Sequence, residues 1–379
     1  MPFDFDKPTD RSRTHTEKYT WYKDYNAIPM WVADTEFESP EQIKQALIER
    51  VEHGIFGYTE AGDELNAAVR NWLQEQYQWQ IEAEWLVWLP GIVPGFNLAV
   101  RTFSQQGKVA VQVPNYPPML AAPEQGGAIK AEVHSLLVNG RWTLDMDSLE
   151  TALSAADCHL LLLCNPMNPC GSVLNETELQ QIIELCRVHN VLICSDEIHC
   201  DILMDETIQH LPVGKYEPKS ITMMAASKTF NIAGLSCSFA IIPDVTIRKT
   251  FERARRGIMP VPNLMGYLAT QTAFESGKPW LTAMNRYLSS NRDYALARIQ
   301  QWPGIHTVAP EATFLLWLDC RESGIDDPFR FFLEHEVALS DGKAFGVPGF
   351  VRLNYGCQRS MLEAALDKME QALCSPRKI

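Results

Sequence analysis

Short apolar runs that alternate with helical patterns constrain the fold of this chain more than any other feature of its sequence. Six aliphatic runs have the length of buried strands, at residues 109–113, 129–136, 159–163, 191–195, 221–225 and 239–242. Helical segments separate several of these runs, and the segment from about 177 to 189 repeats apolar residues with a helical period. This order predicts an α/β fold built on a doubly wound, mostly parallel sheet.

The first helix and the C-terminal third complete the predicted order of elements. Ser39 is predicted as an N-cap with Pro40 at the first helical position, and Gly54 as the end of that helix. After residue 263 the pattern predicts helices at 263–276, 280–301, 329–336 and 361–374, and strands at 314–318 and 350–353. We predict three parts: an N-terminal arm (1–44) that joins the small domain, a large α/β domain (45–275) and a small α+β domain (276–379).

The net charge and the cysteines limit the classes of partner and compartment. The chain has 379 residues, with 33 Lys and Arg against 47 Asp and Glu, which gives a net charge of −14. Nucleic acids and anionic membranes attract basic surfaces, so neither is predicted as a partner. No run approaches the ~18 apolar residues of a membrane-spanning helix, and no secretory signal is visible. Ten cysteines without a Cys-x-x-Cys pair predict reduced thiols, no metal site and a cytoplasmic protein.

Polar segments follow three of the predicted strands. NPMNPCG (165–171), SDEIHCDI (195–202) and SKTFNIAGL (227–235) each begin close to a strand end. Parallel strands end at one edge of a sheet, where ligands bind in such folds, so an amide, a carboxylate and a lysine are predicted to meet there. A fourth segment, LPGIVPGF (89–96), is a glycine-rich turn before a helical pattern, and the free N–H groups at such a helix start bind anions.

These four segments, in this order, resemble those of the fold type I pyridoxal 5′-phosphate (PLP) enzymes, the aspartate aminotransferase superfamily. The resemblance covers nearly the whole chain and implies an aspartate-aminotransferase-like large domain with PLP as cofactor. It implies that Lys228 bonds covalently to PLP, that Asp196 stabilises the protonated pyridine nitrogen and that Asn168 binds the phenolic oxygen. The groups implied to bind the phosphate are the backbone of Ile92 and Val93 and the hydroxyl of Ser227.

Shorter motifs resemble one branch of this superfamily, the cystathionine β-lyase type of carbon–sulfur lyases. They are MWVADTEF (30–37), FGYT (56–59), PNYPPM (114–119), DEIHCD (196–201), PEATFLLWLD (310–319) and VRLNYG (351–356). The likeness implies that Tyr116 stacks on the cofactor ring and that Arg352 binds the substrate α-carboxylate through its planar fork. It also implies that Tyr58 reaches the site of a neighbouring subunit, so that the active unit is a homodimer. Trp31 is placed either in the substrate pocket or in the core.

Two positions depart from the commoner superfamily pattern. His199 stands three residues after Asp196, where most members have a tyrosine, as in the lyase-like branch; an imidazole there is predicted to tune Asp196. Ser236 stands eight residues after the lysine, where an arginine commonly binds the phosphate. The phosphate charge is therefore expected to be met by helix dipoles and hydroxyls, with Arg255 and Arg256 as candidates for a basic residue.

The resemblance implies a β-elimination on cystathionine or a related S-substituted L-cysteine. The products of this reaction are a thiol, pyruvate and ammonia. The thiolate is a good leaving group, because a free thiol has a pKa near ~8.5. Two alternatives remain at this point. One is transamination, which shares the first half of the reaction, and the other is a PLP-fold protein that regulates through protein contacts.

Overall fold

The computed structural model describes residues 3–374 of the chain. Its α-helices are α1 (Glu17–Thr20), α2 (Glu41–His53), α3 (Asp63–Tyr77), α4 (Ile92–Phe103), α5 (Pro117–Gln125), α6 (Met146–Leu153), α7 (Glu176–Val188), α8 (Val213–Tyr216), α9 (Val245–Arg255), α10 (Leu264–Ser276), α11 (Lys278–Ile299), α12 (Pro328–Glu334) and α13 (Arg359–Cys374). Its strands are β1 (Ile28–Pro29), β2 (Leu86–Leu89), β3 (Lys108–Val113), β4 (Ile129–Val138), β5 (Arg141–Leu144), β6 (Cys158–Cys164), β7 (Leu192–Asp196), β8 (Ser220–Met224), β9 (Ser238–Ile241), β10 (Leu315–Asp319), β11 (Val337–Ala338), β12 (Ser340–Asp341) and β13 (Phe350–Asn354).

An eight-stranded sheet with the order β2-β9-β8-β7-β6-β3-β4-β5 forms the centre of the molecule. The inner strands β4, β3, β6, β7 and β8 run parallel, whereas β2, β9 and β5 pair antiparallel with their neighbours. The predicted α/β fold with a mostly parallel sheet is confirmed, and all six predicted strands form within two residues of their expected bounds. Strands β2 and β5 were not predicted.

The strand order brings the four polar segments to one edge of the sheet. Strands β6, β7 and β8 are neighbours and end at Cys164, Asp196 and Met224, so the segments that follow them leave the sheet side by side. Strand β9 returns from that edge, and its first residue Ser238 pairs with Leu89, the last residue of β2. Helix α4 therefore also begins at the same edge.

A second, smaller sheet lies in the C-terminal third. It has the order β10-β13-β12, and its strands are antiparallel. The N-terminal arm joins this region through β1, which pairs in parallel with β11. The division of the chain into domains at residues 44 and 275 stays a prediction. Within residues 3–374, no helix has the length and apolar character needed to cross a membrane.

The start of helix α2 differs from the prediction. The helix begins at Glu41 with Pro40 as its N-cap, and Ser39 does not cap it. The Ser39 hydroxyl instead donates to the carbonyl of Asn231, because a tertiary contact with a distant loop takes the place of the local cap. The predicted end at Gly54 is confirmed, since this residue adopts φ +77°, a left-handed conformation that glycine reaches without strain.

Candidate active site

A cavity of about 280 Å³ lies at the edge of the sheet where the polar segments meet. It is lined by nine of the residues singled out from the sequence: Ile92, Val93, Tyr116, Asn168, Asp196, His199, Ser227, Lys228 and Ser236. Three others, Trp31, Tyr58 and Arg352, do not line it. The sequence analysis missed several lining residues, namely Ala33, Pro90, Gly91, Pro94, Cys164, Ile198, Ala233, Cys237 and Ser238.

Lys228 supplies the amine of the cavity. It lies in the loop after β8, and its Nζ donates to the carbonyl oxygen of Ala33 at 2.7 Å. Burial lowers the pKa of Lys228 from 10.5 to about 8, and the positive charge of Arg352 acts in the same direction. A substantial fraction of the amine is therefore neutral near pH 7–8, which is the form that can act as a nucleophile or a base.

Asp196, at the end of β7, supplies the carboxylate. Its Oδ1 accepts from the backbone N–H of Ile198 at 3.1 Å, and burial raises the pKa of Asp196 from 3.8 to about 7. The adjacent Glu197 serves a different purpose: it binds His210 Nε2 at 2.6 Å and the N–H of Val213 at 2.9 Å. A cationic N–H group in the cavity would stabilise the charged form of Asp196.

Arg352, on β13, lies next to the cavity and contacts one of its lining residues. Its Nη1 donates to Asn168 Oδ1 at 2.9 Å, and its Nη2 donates to the carbonyl of Trp31 at 2.8 Å. Burial lowers the pKa of Arg352 to about 10, and its Nε has no hydrogen-bond partner among the described residues. No carboxylate within residues 3–374 forms an ion pair with this guanidinium, so a bound anion would provide the missing counter-charge.

The turn that carries Asn168 is fixed by a close contact between two loops. Gly171 has φ +77°, and a Cβ at this position would lie 2.3 Å from Pro310 Cβ, so only glycine fits.

The bond to Arg352 uses the carboxamide oxygen of Asn168, which leaves its NH₂ group free to donate to a ligand in the cavity.

Helix α4 presents its N-terminus to the cavity. Its N-cap is Gly91, and no side chain caps it, so the N–H groups of the first turn are free to bind an anion. The helix lies close to the sheet at Gly95, where a Cβ would be 2.9 Å from both Leu89 Cδ1 and Met223 Sδ. The hydroxyl-bearing residues Ser227 and Ser236 line the same cavity.

The two arginine candidates for an anion site lie outside the cavity. Arg255 donates through Nη1 to the carbonyl of Trp88 at 2.7 Å, just before the turn that leads into α4. Neither Arg255 nor Arg256 lines the cavity, so within the described part of this chain the anion would be met by amides and hydroxyls. The sequence could not show this, because the backbone carbonyl that engages Arg255 has no sequence signature.

His199 lines the cavity as a neutral imidazole. Burial lowers the pKa of His199 to about 3, and its Nδ1 is buried without a partner. The ring packs edge-on against Phe314, with 6.0 Å between the ring centroids. Among residues 3–374 the structure gives no hydrogen bond between His199 and Asp196. The tuning of Asp196 by His199 stays a prediction, and no hydrogen bond between these two side chains carries it among the described residues.

Trp31 and Tyr58 lie away from the cavity. Trp31 contributes its carbonyl to Arg352, while its indole packs against Trp21 and Tyr22 with centroids 5.1 and 5.3 Å away. Tyr58 is fully exposed in the segment between α2 and α3. Neither side chain is part of the site within one chain.

Comparison with known proteins identifies the family. The family model "Aminotransferase class I and II" matches residues 30–369. The chain belongs to the class I and II aminotransferase family. Cystathionine beta-lyase PatB of Bacillus subtilis (strain 168) is 35% identical, with 97% of this chain and 99% of the relative covered. The crystal structure of OvoB has a TM-score of 0.96 and 40% identity, covering 99% of this chain and 100% of that chain. The PLP-bound C-S lyase from Staphylococcus hominis has a TM-score of 0.92 and 32% identity, covering 98% of each chain.

In this member of the class I and II aminotransferase family, one of the lining residues that the sequence analysis missed, Ala33, comes from the N-terminal arm. Ala33 lies in the MWVADTEF motif, two residues after Trp31. Its carbonyl, and not its side chain, meets Lys228. Asn354, in the VRLNYG motif with Arg352, donates to the carbonyls of Val32 and Asp34 and so holds this part of the arm. Both residues lie in motifs that the sequence analysis noted, but a contact with a backbone carbonyl has no signature in residue type.

Proposed function

We propose that this protein is a PLP-dependent carbon–sulfur β-lyase that cleaves S-substituted L-cysteines into a thiol, pyruvate and ammonia. The observation that carries the proposal is that Lys228 and Asp196 line one cavity, next to the buried Arg352, which has no carboxylate partner within residues 3–374. The names of two similar proteins, cystathionine beta-lyase and C-S lyase, give the reaction class. Cystathionine is the first substrate to test.

The residues of the cavity fit PLP group by group. Lys228 provides an amine for the aldehyde, and the Asp196 carboxylate provides a counter-charge for a protonated ring nitrogen. The NH₂ group of Asn168 can donate to the phenolic oxygen, and the ring of Tyr116 lines the same cavity. The uncapped start of α4 fits a phosphate, because its amides point at the ligand and its dipole favours negative charge.

Arg352, Lys228 and Asp196 each have a separate role in the proposed reaction. Arg352 binds the α-carboxylate of the amino acid, which orients Cα toward the lysine. When bound, PLP supplies the electron sink that makes loss of the Cα proton possible. Lys228 Nζ takes that proton, which its lowered pKa permits, and Asp196 holds the positive charge on the ring nitrogen. The thiolate then leaves Cβ and takes up a proton, and water hydrolyses the released aminoacrylate to pyruvate and ammonia.

A coupled assay tests the lyase reaction. The purified protein with PLP is incubated with cystathionine and no keto acid, and pyruvate and free thiol are measured. We expect both products in equal amounts from the wild type and none from Lys228→Ala, because no other amine within the described residues lines the cavity. Lys249→Ala, at an exposed position on α9, is the matched control and retains activity.

Transamination is the second candidate, and the family to which the chain belongs favours it. Lys228 and Asp196 serve the first proton removal in both reactions, so the geometry of these two residues does not separate them. The same assay does: a strict requirement for a keto acid, with no pyruvate formed without one, would assign the protein as an aminotransferase.

The proposal includes a homodimer in which Tyr58 completes the site of the partner. Large apolar side chains are exposed next to Tyr58, which is unusual for a free surface. They lie on α2, on the segment that follows it and on the segment before α10: Ile48, Val51, Ile55, Phe56, Ile258 and Val261. Helix α2 packs against α10, so these segments adjoin. A second copy of the chain on this surface would bury them and bring Tyr58 to another site.

Mixed subunits test the shared site. Tyr58→Phe and Lys228→Ala are unfolded together and refolded as a mixture. If the sites are shared, a mixed dimer contains one site with both residues intact, and activity exceeds that of either variant alone. No recovery, in a mixture that light scattering shows to be dimeric, would contradict the role of Tyr58.

A cytoplasmic location is also part of the proposal. All ten cysteines lie within the described residues as free thiols, and nine of them are buried. Free thiols in this number are typical of reducing compartments.

A further inference from the structure

The segment 31–37 of the N-terminal arm forms no helix or strand, yet every backbone carbonyl in it accepts a hydrogen bond from a side chain. The donors, in chain order, are Arg352 and Ser340 to Trp31, Asn354 to Val32, Lys228 to Ala33, Asn354 and Lys18 to Asp34, Asn231 and Arg11 to Thr35, Gln358 to Glu36, and Asn231 to Phe37. A segment without regular structure is thus held at each residue by specific side chains.

Ala33 differs from the other residues of this segment in its donor. Its carbonyl accepts from Lys228 Nζ at 2.7 Å, and Lys228 is the amine of the candidate active site. The neighbouring carbonyls are fixed on both sides: Asn354 binds those of Val32 and Asp34, and Asn231 binds that of Thr35. The Ala33 oxygen is therefore held in one place relative to the cavity.

Asn231 makes three hydrogen bonds with the C-terminal half of the segment 31–37. Its Nδ2 donates to Thr35 O at 3.0 Å and to Phe37 O at 2.8 Å, and its Oδ1 accepts from Thr35 N–H at 3.2 Å. It stands three residues after Lys228 in the same loop, with φ +56°. One side chain thus ties the lysine loop to the arm that carries the acceptor for the lysine.

We propose that the Ala33 carbonyl holds the Lys228 amine whenever it is not bonded to the cofactor, and that Asn231 is the positioning residue that keeps this carbonyl in place. The inference rests on the proposed function, in which Lys228 must be displaced by the substrate and then take the Cα proton. A lysine side chain has many rotamers, and a fixed acceptor selects one of them. Once the substrate has displaced the Lys228 amine, a hydrogen bond to the Ala33 carbonyl keeps the amine in position to take the Cα proton.

The same bond affects the protonation of the lysine. A carbonyl stabilises an ammonium more than a neutral amine, because the ammonium is the stronger donor. Other charges also act on the amine: those of Asp34 and Asp196 raise the pKa of Lys228, and those of Arg352 and Lys18 lower it, while burial has the largest effect. Displacing the Ala33 oxygen removes an acceptor and leaves these charges in place, so the pKa of Lys228 falls.

Two variants of Asn231 separate its side chain from its backbone conformation. Asn231→Gly keeps the left-handed conformation and the backbone carbonyl that accepts from Ser39, and it removes the three side-chain hydrogen bonds with Thr35 and Phe37. Asn231→Asp keeps the shape and the acceptor oxygen but loses both Nδ2 donors. The matched control is Asn190→Gly, because Asn190 also has a positive φ (+54°) and is exposed at a distance from the cavity.

The first measurement is steady-state kinetics of the holoenzyme, normalised to bound cofactor. We expect kcat to fall about tenfold in both Asn231 variants, with KM changed less than about twofold, because proton transfer is affected and substrate binding is not. A purely structural role would lower the fraction of active protein and leave kcat per bound cofactor unchanged. Asn190→Gly is expected to match the wild type.

The second measurement does not need activity. The rate of acetylation of Lys228 in the cofactor-free full chain is followed against pH by mass spectrometry. We expect the midpoint for Asn231→Gly to lie about one pH unit below that of the wild type. If Asn231→Gly fails to fold, the kinetics of Asn231→Asp decide, because the added negative charge of that variant would itself raise the pKa of Lys228. Unchanged kcat per cofactor and an unchanged midpoint would overturn the inference, whereas a shifted midpoint in a protein without lyase activity would contradict only the proposed function.

Discussion

Arg352 donates to Asn168 across 2.9 Å, and this hydrogen bond joins the residue proposed to bind the substrate carboxylate to the residue proposed to bind the cofactor. The guanidinium lies on β13 of the small sheet, and the carboxamide lies in the turn after β6 of the large sheet. This pair of side chains thus joins the two sheets at the site. A substitution of Arg352 is therefore expected to affect the binding of both the substrate and the cofactor.

Arg352→Lys is expected to lower kcat/KM for cystathionine by about 10- to 100-fold, mainly through KM. The ammonium keeps the charge but loses the planar fork, so one charged hydrogen bond to the carboxylate is lost. Steady-state kinetics check this result. Arg330→Lys is the control, since Arg330 is exposed and pairs with Glu334 on α12. An Arg352→Lys enzyme with unchanged KM would place the substrate carboxylate elsewhere.

Asp196→Asn is expected to lower kcat by about 10²- to 10³-fold, because a neutral side chain of the same shape no longer supports a charge on the ring nitrogen. The protein should still bind PLP through Lys228, which the visible absorption of the purified variant shows. Retention of wild-type kcat in Asp196→Asn would mean that this carboxylate does not face the ring nitrogen.

Asp196 also predicts a pH dependence of stability in the cofactor-free protein. Burial raises the pKa of Asp196 from 3.8 to about 7, so between these values the folded state binds a proton that the unfolded state has lost. The contribution of this group is therefore full below about pH 4 and is lost as the pH rises to 7, with a slope of at most about 1.4 kcal/mol per pH unit. Urea unfolding at several pH values should show that Asp196→Asn lacks this slope. If the free energy of unfolding depended on pH in the same way in both proteins, the pKa of Asp196 would not be raised in the cofactor-free protein.

Gly95→Ala is expected to weaken PLP binding and to lower the free energy of unfolding by about 1–3 kcal/mol. The added methyl group would lie 2.9 Å from Leu89 Cδ1 and Met223 Sδ, on two buried side chains, so either these side chains repack or α4 shifts from the sheet and its N-terminus moves away from the phosphate. Urea unfolding and titration with PLP measure the two effects. Arg101→Ala, exposed on the same helix, should change neither.

The sequence predicted the core of the site because strand order and chemistry agree there. Asp196 and Lys228 follow neighbouring buried strands, and parallel strands end at the same edge, so their meeting follows from topology. Arg352 could be placed near them only through a family resemblance, since β13 belongs to a different sheet. Ser39 was wrongly placed as a helix cap because its hydroxyl meets Asn231, 192 residues away in the chain.

Two other features could not come from the sequence. The role of the Ala33 backbone has no signature in residue type, because any residue carries a carbonyl at that position. The predicted role of Tyr58 depends on a second chain, and its exposure in one chain neither places nor excludes it in a partner's site.

The most direct test of the account is reduction of the purified protein with borohydride, followed by peptide mapping. The account predicts a yellow protein whose absorption band disappears on reduction, with the pyridoxyl label fixed on Lys228. A label on any other lysine, or a protein that binds no PLP and shows no reducible band, would contradict it.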